Sequence, residues 1–112
     1  MDPSLVTPGK WSNITLIFND TRIENFSVIW GLYTHSADDI PKWCIASRWN
    51  GWSTSRGYPG QANYPLWFCE PSYLSIPILN GLIEHCEANL DELREWLNPL
   101  RETIDKFNAL PL

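Results

Sequence analysis

The sequence predicts an α+β fold, in which an antiparallel meander of about five strands over residues 11–69 packs against one or two helices over about residues 75–108. Two observations predict this arrangement. Short β-rich runs separated by turn residues fill the first part of the chain, and apolar residues at helical spacing fill the last part. A run of strands followed by helices is typical of a two-layer α+β domain.

The N-terminal part is predicted to be an arm followed by two strands. Residues 1–10 contain two prolines and one glycine without periodicity, so we expect a loose arm on a single domain formed by all 112 residues. Residues 11–18 and 25–35 are β-rich and alternate, and Leu16 and Phe18 are expected on one face of the first strand. The second run is apolar on both faces, so we place it centrally.

A hairpin is predicted in the middle of the chain. Asn50-Gly51 stands between two β-rich runs, residues 42–49 and 52–58. Asn-Gly is the preferred pair for a two-residue type I′ turn, because both central residues need positive φ. Such a turn fixes the register of the two strands and places Trp49 opposite Trp52 at the tip.

A loop and a last short strand are predicted after the hairpin. Residues 59–65 contain two prolines and a glycine, which indicates a loop. The apolar run of residues 66–69 indicates a strand, and Glu70-Pro71 ends it. Short connections between these strands favour antiparallel pairing.

The last third of the chain carries a helical stripe. Its apolar residues follow a 4-3 spacing with charged residues between them, as in an amphipathic helix. The stripe consists of Leu79, Ile83, Cys86, Leu90, Leu93, Leu97, Leu100, Ile104 and Phe107. We expect the stripe to pack on the sheet; the alternative is a coiled-coil seam that makes a homodimer through the C-terminal helices.

Two positions indicate where this helical region breaks. Asn98 followed by Pro99 fits the start of a new helix, with Asn98 as N-cap. Asn89, three residues before Glu92, fits a second N-cap. The region is therefore predicted to be two helices or one kinked helix, and Pro99 argues against a continuous coiled-coil seam.

The chain is acidic, with a net charge of −5 and a pI of about 4.8. Residues 84–112 carry seven acidic and three basic side chains, so the negative charge is concentrated on the helical layer. An acidic surface repels phosphate backbones, and we expect no direct nucleic-acid binding. A protein partner with a basic surface suits this charge better.

The cysteines and the apolar runs indicate a cytoplasmic protein. No apolar run approaches the roughly 18 residues of a membrane span, and the N-terminal residues lack the apolar core of a signal peptide. Cys44, Cys69 and Cys86 are odd in number and widely spaced, which is typical of reduced, buried thiols. We expect no membrane attachment.

No pattern of catalytic or metal-ligating residues stands out. The candidate ligands Cys44, Cys69, Cys86, His35 and His85 form no C-x-x-C or H-x-x-x-H pair, from which zinc sites are usually built. The chain has no nucleophile elbow and no glycine-rich phosphate loop. We therefore expect no enzymatic activity, no cofactor and no metal.

The candidate contact residues fall into two groups, one aromatic and one acidic. They are Trp49, Trp52 and Tyr64 with the flanking Arg48 and Arg56, and Glu92 and Glu95 on the helices. Tryptophan and tyrosine are enriched in binding hot spots because they bury a large area at a low entropy cost. Trp43 and Trp67 are expected in the core instead.

A small, acidic, tryptophan-rich chain without a catalytic motif is similar in type to bacterial immunity proteins and to inhibitors from phages and mobile elements. We therefore expect a cytoplasmic, non-catalytic protein-binding module that blocks its partner by binding. The alternative is a binder of nucleotides or sugars, with an aromatic pocket near Trp49, Trp52 and Tyr64.

Overall fold

The first half of the chain forms three long antiparallel strands, and shorter strands follow. The computed structural model of the protein describes residues 10–22, 24–34, 40–51, 57–61, 64–65 and 67–111. The strands are β1 (Trp11–Asp20), β2 (Phe26–Tyr33), β3 (Lys42–Trp49), β4 (Gly60–Gln61), β5 (Tyr64–Pro65) and β6 (Phe68–Cys69).

Four of these strands form one sheet in the order β1-β2-β3-β6, and every neighbouring pair is antiparallel. β4 and β5 form a separate two-stranded ribbon within the segment predicted to be a loop. The predicted α+β architecture is confirmed, with four strands in the sheet instead of about five. The central position of β2 is also confirmed, because β2 lies between β1 and β3 and is largely buried.

The alternation predicted for β1 is interrupted by two irregularities, between Ser12 and Thr15 and between Leu16 and Phe18. Asn13, within the first of them, has a positive φ of 52°. A bulge adds a residue to one strand, so side chains on either side of it no longer alternate. Phe18 packs on the helix side of the sheet and Leu16 on the other side, and the prediction that they share a face is wrong.

The predicted two-residue hairpin at Asn50-Gly51 does not form. Tyr58, which that turn would place opposite Trp43, pairs with Trp49 instead. A type I′ turn requires positive φ at both central residues, and Asn50 does not have it. The Asn50 N–H donates to the Asn25 carbonyl (2.8 Å) and its side chain is fully buried, so contacts outside the turn override the local preference.

The second layer consists, within the described residues, of α1 (Ser72–Glu87), α2 (Leu90–Leu93), a 3₁₀ turn (Arg94–Trp96) and α3 (Leu97–Asn108). The helical region starts earlier than predicted, and it breaks just before α2, at Asn89, which is one of the two predicted positions. α3 begins at Leu97, so Asn98 lies inside the helix and is not its N-cap. Pro99 lies in the first turn of α3, where a missing N–H breaks no intrahelical hydrogen bond. None of these helices is long and apolar enough to cross a bilayer.

The helical stripe packs on the sheet and forms the main core. Leu79 and Leu100 from the helices meet Val28 and Ile45 from the sheet, and all of these side chains are fully buried. Every other stripe residue belongs to this core or packs against it, except Leu90, which is 38% exposed. The interpretation of the stripe as the packing face of the helices is confirmed.

A smaller apolar cluster covers the opposite face of the sheet. Its buried members are Trp11, Ile29, Cys44, Ala46 and Trp67. On the helix side, Trp43 packs against the main core and stacks on Trp30, with ring centroids 5.4 Å apart. The core position predicted for Trp67 is therefore confirmed, whereas Trp43 is partly buried at the edge of the main core.

Candidate functional site

Three exposed aromatic side chains come together at one end of the sheet. Trp49 is 43%, Tyr58 66% and Phe68 51% exposed. Together with the half-buried Phe26, they form what we call the aromatic patch: Phe26, Trp49, Tyr58 and Phe68. Clustered apolar side chains that a fold leaves exposed are a common mark of an interaction surface.

Strand pairing assembles the aromatic patch. Trp49 lies opposite Phe26 on one side and opposite Tyr58 on the other, and Phe68 lies opposite Ser47. Directly opposite residues in antiparallel pairs point to the same face of a sheet. Ser47 lies on the helix-bearing face, because its neighbour on β2 belongs to the main core. The patch is therefore the end of that face that the helices leave exposed.

Backbone hydrogen bonds hold the patch in place. The Trp49 N–H donates to the Tyr58 carbonyl (2.6 Å), and the Tyr58 N–H donates to the Trp49 carbonyl (2.7 Å). Gly57 has a φ of 75°, and a Cβ at this position would clash with the Trp49 carbonyl oxygen, so only glycine allows this close approach. The Phe26 and Trp49 rings lie 4.8 Å apart between centroids. The geometry of the patch is thus set by the protein itself.

A buried polar network fixes the chain where it leaves β3. Asn50 Nδ2 donates to Ser27 Oγ (2.6 Å), and Ser27 Oγ donates to Asn19 Oδ1 (2.8 Å). Asn25 Nδ2 donates to the Gly51 carbonyl. Buried polar groups are stable only when they are hydrogen-bonded, so this network favours one path for the chain. That path sets the position of the adjacent Trp49.

Arg48 lies behind the patch and is not a surface contact in this structure. It is 1% exposed, and its Nη1 donates to the Pro59 carbonyl (3.4 Å). Burial lowers the pKa of the Arg48 guanidinium from its ordinary value. The expectation of an exposed arginine here fails because successive side chains of a strand point to opposite faces, and Trp49 occupies the exposed one.

The structure describes only part of the predicted aromatic group. Trp52 and Arg56 lie outside the described residues, as does most of the strand predicted over residues 52–58. Tyr64 lies in β5, where its backbone pairs with that of Gln61. Trp49 is the predicted aromatic contact whose exposure the structure gives, and it is exposed as expected.

The acidic candidates lie on the helical layer. Glu92 in α2 and Glu95 in the 3₁₀ turn are both exposed, and they line one shallow depression with Asp91 and Arg94. Glu92 Oε2 lies 3.7 Å from Arg22 Nη1. Because this pair is exposed to water, its contribution to stability is small, and both carboxylates face solvent.

A polar cluster ties the end of β1 to the junction of α1 and α2. Asp20 accepts hydrogen bonds from Arg22 Nη2 (2.8 Å) and Nε (2.9 Å) and lies 3.2 Å from His85 Nε2. Hydrogen bonds from Arg22, with a smaller contribution from His85, hold the pKa of Asp20 well below its usual range despite its burial. Asn89 Oδ1 accepts from Arg22 Nη1 (3.4 Å), which completes the link between the layers.

The remaining chemistry-bearing side chains are dispersed. His85 belongs to the polar cluster, Cys86 is fully buried in the main core, and Cys44 contacts Cys69 on the other face of the sheet. His35 lies outside the described residues. In the ranges that the structure describes, no three His, Cys, Asp or Glu side chains are grouped so that they could hold a metal ion.

Two surface cavities differ in size and lining. The cavity beside the aromatic patch has a volume of about 200 Å³, below the roughly 300–1,000 Å³ of typical small-ligand sites. A larger open cavity of about 510 Å³ lies between β1 and the end of α3. It is lined by Asn13, Ile14, Thr15, Trp30, Trp43, Lys106 and Leu110.

Sequence reasoning misses Tyr58 and Phe68 as exposed contacts. Tyr58 is missed because the hairpin prediction places it opposite Trp43, in the wrong register. Phe68 follows the buried Trp67 in a short strand, and strand alternation sends neighbouring side chains to opposite faces. That alternation was the available signal for an exposed Phe68.

Comparisons of this chain with protein-family models, with curated proteins and with solved structures return no significant match.

Proposed function

We propose that this chain is a non-catalytic protein-binding module, of inhibitor or immunity type, that binds its partner through the aromatic patch. The observation that supports this most is the exposure of Trp49, Tyr58 and Phe68 on one continuous stretch of surface. Exposed aromatic side chains contact water in the free protein, and their burial at an interface is favourable. Such residues supply most of the binding energy in many protein complexes.

The rigidity of the patch supports the same proposal. The paired backbone hydrogen bonds between Trp49 and Tyr58 hold the main chain at both residues in one geometry before binding. A preorganised surface loses less conformational entropy on association, and more of the contact energy therefore appears as affinity. Beside the patch, Ser47 Oγ donates to Glu70 Oε1 (2.6 Å), which places polar groups next to the apolar centre, as in protein interfaces.

Charge defines the kind of partner. The net charge of −5 and the exposed Glu92 and Glu95 favour a protein with a basic surface over a phosphate backbone or an anionic membrane. An acidic layer attracts such a partner, and the aromatic patch then supplies close contact. By blocking a basic functional surface, the chain would act as an inhibitor.

Affinity capture with matched variants tests the proposal. Tyr58→Ala and Phe68→Ala each remove an exposed ring while leaving the backbone pairing intact. Ile40→Ala is the control, because Ile40 is 83% exposed and precedes β3 at the end away from the patch. Proteins retained by the wild type are purified, and their Kd is measured by calorimetry against each variant.

We expect each patch variant to raise the Kd of the true partner about tenfold or more, and Ile40→Ala to change it less than about twofold. Unchanged unfolding temperatures would show that the variants fold. A partner whose Kd is the same for the wild type and for both patch variants would exclude the patch as the binding surface. A partner whose own activity persists at saturation would exclude inhibition.

A second candidate function, binding of a nucleotide or sugar, is favoured by the larger cavity. Its volume of about 510 Å³ falls in the usual range for small-ligand sites, and the stacked Trp30 and Trp43 contribute to its lining. A ligand stacked there would change tryptophan fluorescence. A screen of nucleotides and sugars that finds no fluorescence change would argue against this candidate.

A further inference from the structure

Two thiols that are far apart in the sequence meet between β3 and β6. Cys44 Sγ lies 3.3 Å from Cys69 Sγ, within hydrogen-bonding contact for sulfur. Strand pairing produces this contact, because Ala46 lies opposite Cys69, and Cys44, two residues before Ala46 in β3, is on the same face. Both thiols belong to the apolar cluster on the sheet face away from the helices, and neither is in a disulfide.

We propose that Cys44 and Cys69 are a redox-active dithiol pair that a hydroperoxide oxidises to an intramolecular disulfide. This goes beyond partner binding and does not depend on it. The third cysteine, Cys86, is fully buried in the separate main core under the helices, and it stays reduced.

Cys69 is the attacking group and Cys44 the resolving group. Cys69 is only partly buried, whereas Cys44 is 9% exposed, so a peroxide reaches Cys69 first. Hydrogen bonding from the Cys44 thiol lowers the pKa of Cys69 from its ordinary value, and the same contact, with burial, raises the pKa of Cys44. The thiolate is the reactive form, so this asymmetry agrees with the roles that the greater exposure of Cys69 assigns.

The reaction balances in two steps. The Cys69 thiolate attacks one oxygen of the hydroperoxide, the O–O bond breaks, and the products are a Cys69 sulfenic acid and an alkoxide or hydroxide ion, which takes up a proton. The Cys44 sulfur then attacks the Cys69 sulfur, and the S–O bond breaks with loss of water. Two thiols are oxidised by two electrons in total, and the peroxide is reduced by the same two electrons.

Because of the position of β6, we expect the disulfide to stabilise the fold. β6 has two residues and is held to β3 by a short ladder, so it is the least firmly paired strand of the sheet. A bond between Cys44 and Cys69 closes a long loop and restricts the unfolded chain. We expect the oxidised protein to melt about 10 °C higher than the reduced protein.

The test uses the full chain, reduced and freed of reductant, and then treated with hydrogen peroxide. The expected product is a monomer lighter by two hydrogen atoms, in which the thiol titre in denaturant falls from three to one. Peptide mapping should find Cys44 joined to Cys69, and dithiothreitol should restore both thiols. Cys86→Ser, the control, should form the same bond at the wild-type rate.

Two further variants separate the roles of the thiols. With Cys44→Ser, the Cys69 sulfenic acid cannot be resolved, so dimedone should trap it; with Cys69→Ser, dimedone labelling should be at least tenfold slower. Wild-type protein that keeps three thiols, forms only intermolecular disulfides, or goes directly to sulfinic acid would overturn the proposal. Labelling of Cys86 as fast as Cys69 would also overturn it.

Discussion

Asp20 shows how one buried side chain joins the two layers of the fold. It lies at the end of β1, is 7% exposed, and bonds to both Arg22 and His85. His85 belongs to α1, so the carboxylate connects the sheet to the helices. A buried carboxylate is stable only when such donors surround it. Asp20 is therefore a structural carboxylate whose ionisation supports folding.

This leads to a prediction for the pH dependence of stability. The pKa of Asp20 is lower in the folded chain than its unfolded value of about 3.8, so its stabilising contribution is present above that value and is lost as the pH falls below it. Asp20→Asn removes the charged hydrogen bonds to Arg22, so we expect the free energy of unfolding at neutral pH to drop. The drop should be only about 1 kcal/mol, because water screens the exposed part of Arg22.

Urea unfolding at several pH values measures this effect. Between about pH 5 and about pH 2, the wild type should lose more stability than Asp20→Asn. Asp105→Asn is the control, because Asp105 is exposed on α3, and it should follow the wild type. Parallel pH curves for the wild type and Asp20→Asn would contradict the role assigned to Asp20.

At the scale of elements, residues of the helical stripe differ in how deeply they are buried. Leu79 and Leu90 both belong to the stripe but occupy different positions of the 4-3 pattern, and Leu79 is fully buried whereas Leu90 is 38% exposed. The chain breaks between α1 and α2, and α2 is a single turn, so the stripe is not continuous there. The buried stripe residues Leu79, Cys86, Leu93 and Leu100 are spaced by seven, so Leu90, in the other series of the pattern, lies nearer the edge of the packed face.

This difference in burial predicts that the same substitution lowers stability by different amounts at the two positions. Leu79→Ala should lower the free energy of unfolding by about 2–5 kcal/mol, because it opens a cavity in the main core. Leu90→Ala should change it by less than about 0.5 kcal/mol. Denaturant unfolding followed by circular dichroism measures both. Equal losses would mean that the helices do not pack on the sheet as described.

Much of the fold could be predicted from the sequence, because the relevant signals are repeated along an element. The stripe in the helices and the β-rich runs each involve many residues, so single exceptions such as Leu90 do not change the assignment. The prediction of a hairpin turn at Asn50 was wrong because the local preference depends on only two residues. The hydrogen bonds from Asn50 to Asn25 and Ser27 outweigh that preference.

The candidate site was less predictable because it depends on pairing. Trp49 could be named from its residue type and position near a turn. The exposure of Tyr58 follows from its pairing with Trp49, and the burial of Arg48 follows from the face of β3 that it occupies. Both depend on register, which a non-local network sets and which a single sequence does not reveal.

At the scale of the whole molecule, layer thickness and charge set how a partner meets the chain. The described residues extend 44 × 38 × 20 Å, and the short dimension matches one sheet plus one layer of helices. In such a thin molecule, broad faces dominate the surface. Residues 84–112 give the helical face an excess of four negative charges, with seven acids against three bases. We therefore expect charge steering of a basic partner to act through the helical face.

Charge reversal tests the role of that face. In Glu92→Lys with Glu95→Lys, we expect the association rate constant with a basic partner to fall severalfold at low salt, and its salt dependence to weaken. Glu24→Lys is the control, because Glu24 is an exposed acid between β1 and β2. Surface plasmon resonance at low and high salt measures both. Identical rates for the double variant and the wild type would exclude the acidic face. Sedimentation of the chain alone separates a foreign partner from a second copy.

The two bulges of β1 matter for colloidal behaviour. β1 is an outer strand of the sheet, and within the described residues it pairs with β2 only. A regular apolar outer strand is a template on which other chains add by backbone hydrogen bonding, the first step towards fibrils. The bulges and the positive φ of Asn13 interrupt the row of N–H and C=O groups that such growth requires. We therefore expect the irregularity of β1 to keep this apolar strand from nucleating polymerisation.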